Sequence, residues 1–205
     1  MRKAKLLALM VMFFMTAHGQ MGMKSAVYSV TGTEFFFGVK GGVNLTDISH
    51  VLNRYKLSFH LGGLAEFQYN DFIGLQAELL YSRQGDRGKQ QGDKIIYRVN
   101  YLNIPLLCKL YLVEGLSFEL GPQMGFLLNN KQKTKSGGVT TITDINHVNT
   151  VDVSFASGFS YLLPDSDMFV SLRYNLGLTN VVKKGHFDNN ANQNRVFQLS
   201  LGWRM

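Results

Sequence analysis

Apolar and polar residues alternate one by one in segment after segment of this chain, and this pattern limits its possible folds more than any other feature. In the stretch RVFQLSLGWRM, Phe197, Leu199, Leu201 and Trp203 are separated by polar or small residues. A period of two places successive side chains on opposite faces of a β-strand, whereas an amphipathic helix has a period of 3.6. Eight segments carry the pattern: 37–45, 56–69, 72–84, 95–112, 116–128, 150–162, 168–178 and 195–205. The chain is therefore predicted to be all-β.

The links between these segments alternate between short and long. The short ones are 70–71, 113–115 and 163–167, and the long polar ones are 46–55, 85–94, 129–149 and 179–194. Outer-membrane barrels have short periplasmic turns, long outer loops and an even number of strands. Because every backbone group must be paired in lipid, such a sheet has to close. We predict an eight-stranded antiparallel transmembrane β-barrel over residues 35–205. A soluble lipocalin-like barrel is the alternative, and it would have a polar exterior and an apolar interior.

Aromatic residues collect near the ends of the predicted strands, where two girdles are expected at the membrane interfaces. The predicted periplasmic girdle contains Phe35, Phe36, Phe37, Phe67, Tyr69, Phe72, Tyr111, Phe118, Tyr161, Phe169 and Trp203. The predicted outer girdle contains Tyr55, Phe59, Tyr81, Tyr97, Tyr101, Phe126, Tyr174 and Phe197.

The first residues, MRKAKLLALMVMFFMTAHG, have the features of a secretory signal peptide. Three basic residues precede an apolar run, and small residues follow it. We predict a signal peptide over 1–19 and a short N-terminal periplasmic segment over 20–34. At the other end, Leu201, Trp203 and Met205 resemble the C-terminal signal that barrel-insertion machinery reads. Phe is the usual last residue of that signal, and Met205 departs from it.

The net charge of +7 is a modest excess spread along the chain, so no nucleic-acid partner is predicted. Lys131, Lys133 and Lys135 form a local basic group in a predicted outer loop, 129–149. Such a group is either simply solvated or contacts anionic lipid or polysaccharide.

Four stretches suggest a family: FGVKGGVNL, YLNIPLLCKL, FELGPQMGFLL and SLRYNLGLTNV. They resemble the outer-membrane β-barrel proteins common in Bacteroidota, the porin family that includes PorT-like proteins of type IX secretion. The resemblance implies the fold and an outer-membrane location, and it implies no particular activity. Family members often have Glu on the fourth strand where this chain has Asn103.

Six charged residues fall on the predicted inward face: Lys40, Glu66, Glu78, Lys109, Glu119 and Arg173. Side chains nearly fill the interior of an eight-stranded barrel, and buried charges have to be paired. We therefore predict a structural network of salt bridges that plugs the barrel. The alternative is a small ion path or a proton-linked site.

An enzyme is not predicted. Ser58 and His60 share the inward face of the second strand, with Glu66 further along, and could form a nucleophile and base pair. A lipid substrate would not reach them there, and a packed interior leaves no sugar cleft for Glu66 and Glu78. His50, His147 and His186 lie in separate loops without ligand spacing, so no metal site and no cofactor are predicted.

The sequence thus predicts a non-catalytic outer-membrane scaffold that acts through its outer loops or its periplasmic rim. The expected partners are outer-membrane lipid and lipopolysaccharide, the insertion machinery and an unidentified protein. A narrow passive channel and a lipid-modifying hydrolase are the alternative functions.

Overall fold

The computed structural model describes residues 33–48, 56–85, 87–90, 93–136, 139–143, 149–180 and 193–205. The predicted signal peptide, almost all of segment 20–34, Tyr55 and the three loop histidines lie outside these ranges. All regular structure in the described residues is β-strand: β1 (Glu34–Ile48), β2 (Lys56–Gln68), β3 (Ile73–Gln84), β4 (Arg87–Gln90), β5 (Asp93–Val113), β6 (Leu116–Ser136), β7 (Val139–Thr143), β8 (Val151–Leu162), β9 (Met168–Asn180) and β10 (Gln193–Arg204).

The sheet closes on itself through two pairings. β1 pairs antiparallel with β10, from Gly38 opposite Arg204 to Ile48 opposite Asn194. β5 pairs with β6 along almost its whole length. The closed ring consists of β1, β2, β3, β5, β6, β8, β9 and β10, which confirms the predicted eight-stranded antiparallel barrel. No helix in the described part of the chain is long and apolar enough to span a bilayer.

The two remaining strands correct the prediction for two of the long links. β4 pairs with β5, and β7 pairs with β6, so links 85–94 and 129–149 contain strands rather than irregular loop alone. Lys131, Lys133 and Lys135 consequently lie on β6 and not in a loop. Backbone pairing between antiparallel strands does not require an apolar face. The polar strand segments in these two links were therefore not predicted from the alternation of apolar residues.

Polar turns close one end of the barrel, which we call the turn end. Asn70 accepts hydrogen bonds from the backbone N–H groups of Phe72 and Ile73 through its side-chain oxygen, and so holds the β2–β3 turn. Gly115 adopts a φ of 77° in the β5–β6 turn, a conformation that favours glycine. The opposite end, where the longer links lie, we call the loop end.

The outward face of the ring is apolar and the inward face is mostly polar. Leu57, Leu61 and Trp203 are more than half exposed, whereas inward Lys40, Glu78 and Arg173 are almost fully buried. This inverts the arrangement of a soluble protein and excludes the lipocalin-like alternative. Because the side-chain period of a strand is two, the alternation assigned nearly every residue to its correct face.

Five aromatic residues do not lie in the girdles to which the sequence assigned them. Phe36, Tyr101 and Phe169 are buried, Tyr97 and Tyr111 are half-buried, and all five are on the inward face of their strands. The outward girdle at the turn end includes the contacting rings of Phe35, Phe37 and Phe67. At the loop end it includes Phe59 and Tyr81, whose ring centroids are 5.9 Å apart. Closeness to a strand end is a poorer guide than alternation, which places these five side chains inward.

Candidate functional site: the barrel interior and the outer hairpin

Four charged side chains meet in the middle of the interior, and we call them the central cluster: Lys40, Glu78, Glu119 and Arg173. Arg173 binds Glu78 with two nitrogens, Nη1 to Oε2 at 2.8 Å and Nη2 to Oε1 at 2.7 Å. Its Nε donates to Glu119 Oε1 at 2.8 Å, and Lys40 Nζ donates to Glu78 Oε1 at 3.1 Å. The cluster has two positive and two negative groups, and each side chain is at most 2% exposed. Charges buried this deeply are tolerated because all four are paired.

A second group lies nearer the turn end, around Glu66. Lys109 Nζ donates to Glu66 Oε2 at 2.8 Å, and the Tyr111 hydroxyl donates to Oε1 at 2.6 Å. Arg204 Nη1 lies 3.8 Å from the same carboxylate, and its guanidinium is 4.1 Å from the centre of the Phe36 ring. The group lines a cavity of about 410 Å³ that reaches the turns at Asp71 and Glu114. All six charged residues named from the sequence are thus in one of these two groups.

An uncharged layer lies on the loop-end side of the central cluster and is centred on His60. His60 Nδ1 is 2.6 Å from Asn44 Oδ1, and its Nε2 is 2.8 Å from Ser200 Oγ. Ser58 donates its hydroxyl to the Arg83 carbonyl at 2.7 Å. Both ring nitrogens of His60 are thus engaged by residues other than Ser58, which is the wrong arrangement for a nucleophile and its base.

Further polar contacts continue toward the loop end. Asn194 bonds to the side chain of Gln84, and the Thr179 hydroxyl donates to Asp152 Oδ1 at 2.9 Å. Polar contacts therefore occur at each level of the interior, with inward apolar side chains such as Leu64, Leu80 and Leu107 among them. Among the described residues no three His, Cys, Asp or Glu side chains are grouped as metal ligands would be.

Several interior residues were missed by the sequence analysis, which selected charged positions on single strands. They are Asn44, Tyr111, Gln198, Ser200 and Arg204, all of which hydrogen-bond or pair with an interior group. Their inward position follows from alternation along β1, β5 and β10. Their partners do not, because each partner lies on another strand.

The two strands β5 and β6 extend well beyond the barrel wall at the loop end. We call this extension the outer hairpin, residues 93–101 and 127–136. Its pairing runs out to Lys94 opposite Lys135, and β7 adds to its other edge. Arg98 lies directly opposite Lys131 in this register. The hairpin is the largest described structure outside the barrel wall.

Comparison with protein families gives a match over residues 23–183, to the outer membrane protein beta-barrel domain. The chain belongs to this family. It is therefore an outer-membrane protein, and because barrels of this class turn their short connections to the periplasm, the turn end is periplasmic and the loop end is external. No curated protein matches the chain in sequence.

Solved structures of small outer-membrane barrels are similar to this one. Neisserial surface protein A is 15% identical, with a TM-score of 0.50 over 85% of this chain and 98% of that chain. Ail, the attachment invasion locus protein of Yersinia pestis, in complex with the heparin analogue sucrose octasulfate, is 14% identical, with a TM-score of 0.48 over 85% and 100% of the two chains. At this identity the likeness extends to the fold alone.

Proposed function

We propose that this protein is a non-catalytic outer-membrane scaffold, closed to ions, whose working surface is the outer hairpin. The observation that carries the proposal is the central cluster. Arg173 reaches from β9 to Glu78 on β3 and Glu119 on β6, while Lys40 reaches Glu78 from β1. Paired side chains from four strands thus cross the interior at one level.

A hydrated ion would have to break these pairs to pass. Separating Arg173 from Glu78 leaves a buried charge without its partner, and the cost of that is several kcal/mol. In a barrel of eight strands, side chains nearly fill the interior, so little space is expected beside the cluster. The resting state is therefore expected to be non-conducting.

Single-channel recording in a planar bilayer tests the closed interior. The refolded protein should insert and pass no steady current. Shortening the central side chains in Arg173→Ala/Glu78→Ala removes the crossing pair and keeps the formal charge of the cluster at zero. We expect this variant to pass small openings.

The matched control is Arg195→Ala, which shortens an arginine on the outward face of β10 and should stay silent. Steady openings of the parent protein would overturn the proposal. They would instead favour the second candidate, a narrow passive channel, which is supported by the polar and charged side chains present at each level of the interior.

The non-catalytic part of the proposal is supported by the interior hydrogen bonds. Ser58 and His60 bind different partners, and the central carboxylates are engaged with Arg173 and Lys40. All of these groups are inside the barrel among polar partners, a place that a lipid substrate does not easily reach.

Three kinds of partner are proposed, each at a different part of the barrel. Outer-membrane lipid and lipopolysaccharide surround the wall, the barrel-insertion machinery would read Leu201, Trp203 and Met205, and an unidentified protein could dock at the periplasmic mouth. A PorT-like role in a Bacteroidota secretion system remains a proposal from the sequence resemblance.

A further inference from the structure

Among the described side chains, five basic ones lie on the outward face of the outer hairpin or on the wall beside it. Arg98 on β5 lies directly opposite Lys131 on β6, and Lys133 lies opposite Ile96. Arg83 on β3 is opposite Asn100, to which its Nε donates at 3.3 Å. We call this set the cation row: Arg83, Arg98, Lys131, Lys133 and Lys135.

A β-bulge turns the three lysines outward. Asn100 pairs with Asn129 and Tyr101 with Leu127, so Leu128 is an extra residue on β6. Below the bulge the outward positions of β6 are even-numbered, as at Phe126, and above it they are odd-numbered. Without the extra residue, Lys131, Lys133 and Lys135 would face inward.

Within the described residues, the cation row has no acidic partner. In the described part of the chain none of the five is in a salt bridge, and the described acidic residues of β5 and β6 lie at inward positions or in the turn. Like charges directly opposite each other on paired strands are destabilising. Arg98 and Lys131 are such a pair, and an anion between them would relieve their repulsion.

The row begins at the edge of the apolar band. Leu102 and Phe126 form the last outward apolar pair of β5 and β6, followed by Asn100 and Asn129. Arg98 is four residues beyond Leu102, which on a tilted strand is about 10 Å further from the bilayer centre. That height corresponds to the headgroup layer, which lies directly outside the hydrocarbon core.

We propose that the cation row binds the phosphate groups of lipopolysaccharide in the outer leaflet. The row faces sideways from the wall rather than outward from the tip, so it is presented to neighbouring lipids. At its base Arg83 lies over the Phe59 ring, 5.5 Å from its centroid, beside exposed Leu57 and half-buried Tyr81. Phosphate above and an acyl chain below fit the two parts of this surface. The inference rests on the proposed role of the outer hairpin and is independent of the closed interior.

Binding of lipid A to the refolded full chain in nanodiscs tests the inference. The probe is lipid A with both phosphates, compared with the same lipid after enzymatic removal of its phosphates. We expect the phosphorylated form to bind more tightly. We expect Arg98→Gln/Lys131→Gln/Lys133→Gln to weaken its binding by about tenfold or more, because each basic residue near an anionic surface contributes appreciably.

Two control variants separate charge at this place from charge in general. Arg98→Lys/Lys131→Arg/Lys133→Arg keeps the charge and should keep the affinity. Arg195→Gln removes a cation from the outward face of β10, opposite Asp47, and should bind as the parent does. Heat-dependent migration on gels establishes that each variant is folded. The melting temperature gives a second readout, since phosphorylated lipid A should raise it for the parent and not for the triple glutamine variant.

Two results would overturn the inference. One is unchanged lipid A affinity in the folded triple glutamine variant. The other is that heparin, a soluble polyanion, binds at the row more tightly than phosphorylated lipid A, which would make the row a receptor for polysaccharide. Neither result affects the conductance experiment, so failure here is distinguishable from failure of the closed interior.

Discussion

At the scale of single residues, Arg173 is the side chain that connects the two carboxylates of the central cluster. Its guanidinium is paired with two carboxylates, and its side chain is 1% exposed. A fork of five donors suits this position, because it binds one carboxylate with two nitrogens and still reaches a second. A lysine in its place would supply the charge without this geometry.

Replacing this arginine should therefore be costly. Arg173→Met leaves two buried carboxylates with Lys40 as their only cation, and we expect the free energy of unfolding to fall by about 3–5 kcal/mol. Urea unfolding in lipid vesicles, followed by tryptophan fluorescence, measures it. In Arg173→Met/Glu119→Gln the remaining charges balance, so part of the loss should be recovered. A loss below about 1 kcal/mol in the single variant would mean that water already reaches the cluster.

The sequence predicted the face of the strand on which each of these residues lies. It did not predict the residues with which each one pairs. Alternation put Lys40, Glu78 and Arg173 inward, because a strand reverses its side chains at each step. Glu78 and Arg173 are 95 positions apart in sequence, and their contact depends on how the sheet closes. Tyr111 was assigned to a girdle because it lies near a strand end, whereas its hydroxyl binds Glu66 inside the barrel.

At the scale of elements, the outward residues of β6 could be predicted from the sequence as far as the bulge and not beyond it. Strand positions up to Phe126 followed the apolar pattern, and the polar extension beyond it did not. The extra residue Leu128 reverses the faces above it, so a continued alternation from Phe126 would have assigned Lys131 to the wrong side. The composition of β6 does not reveal the bulge. Residues 129–136 are all polar, so the sequence does not show which of them face outward.

The last strand offers a test of the predicted insertion signal. Trp203 faces the lipid at the periplasmic end of β10, where it pairs with Val39 and Met168. We expect Trp203→Ala to lower the amount of folded protein in the outer membrane and to slow assembly into vesicles that contain the insertion machinery. The physical reason is loss of an interfacial aromatic anchor on the strand that the machinery reads.

A matched control on the same strand separates assembly from stability. Leu199→Ala also removes an outward apolar side chain, at a level nearer the membrane centre, at a cost of about 2 kcal/mol. It should lower stability and leave the assembly rate unchanged. Equal slowing by both substitutions would assign no special role to Trp203.

At the scale of the whole molecule, charge is distributed unevenly along the barrel axis. Acidic side chains lie at the periplasmic turns, and the cation row lies at the external end. The turn acids are Asp71, Glu114, Asp165 and Asp167. Between these two ends the outward surface is apolar. The order of short and long links predicts this orientation, because outer-membrane barrels turn their short connections to the periplasm.

Cys108 provides a direct measure of this arrangement. It lies on the outward face of β5, paired with Leu75 and Leu120, well inside the apolar band. In intact vesicles we expect its thiol to resist a charged maleimide, because a charged reagent does not enter the hydrocarbon core in which the thiol lies. After unfolding in denaturant it should react fully. The protein has one cysteine, so the label reports this position alone.

The control for reagent access is Ser166→Cys, in the exposed β8–β9 turn, combined with Cys108→Ser. A thiol there should react when the reagent is on the periplasmic side of the bilayer and stay protected when it is on the other side. Rapid labelling of Cys108 in intact vesicles would place β5 in contact with water. The outward face of β5 would then not be surrounded by lipid, and the single barrel in lipid would have to be abandoned.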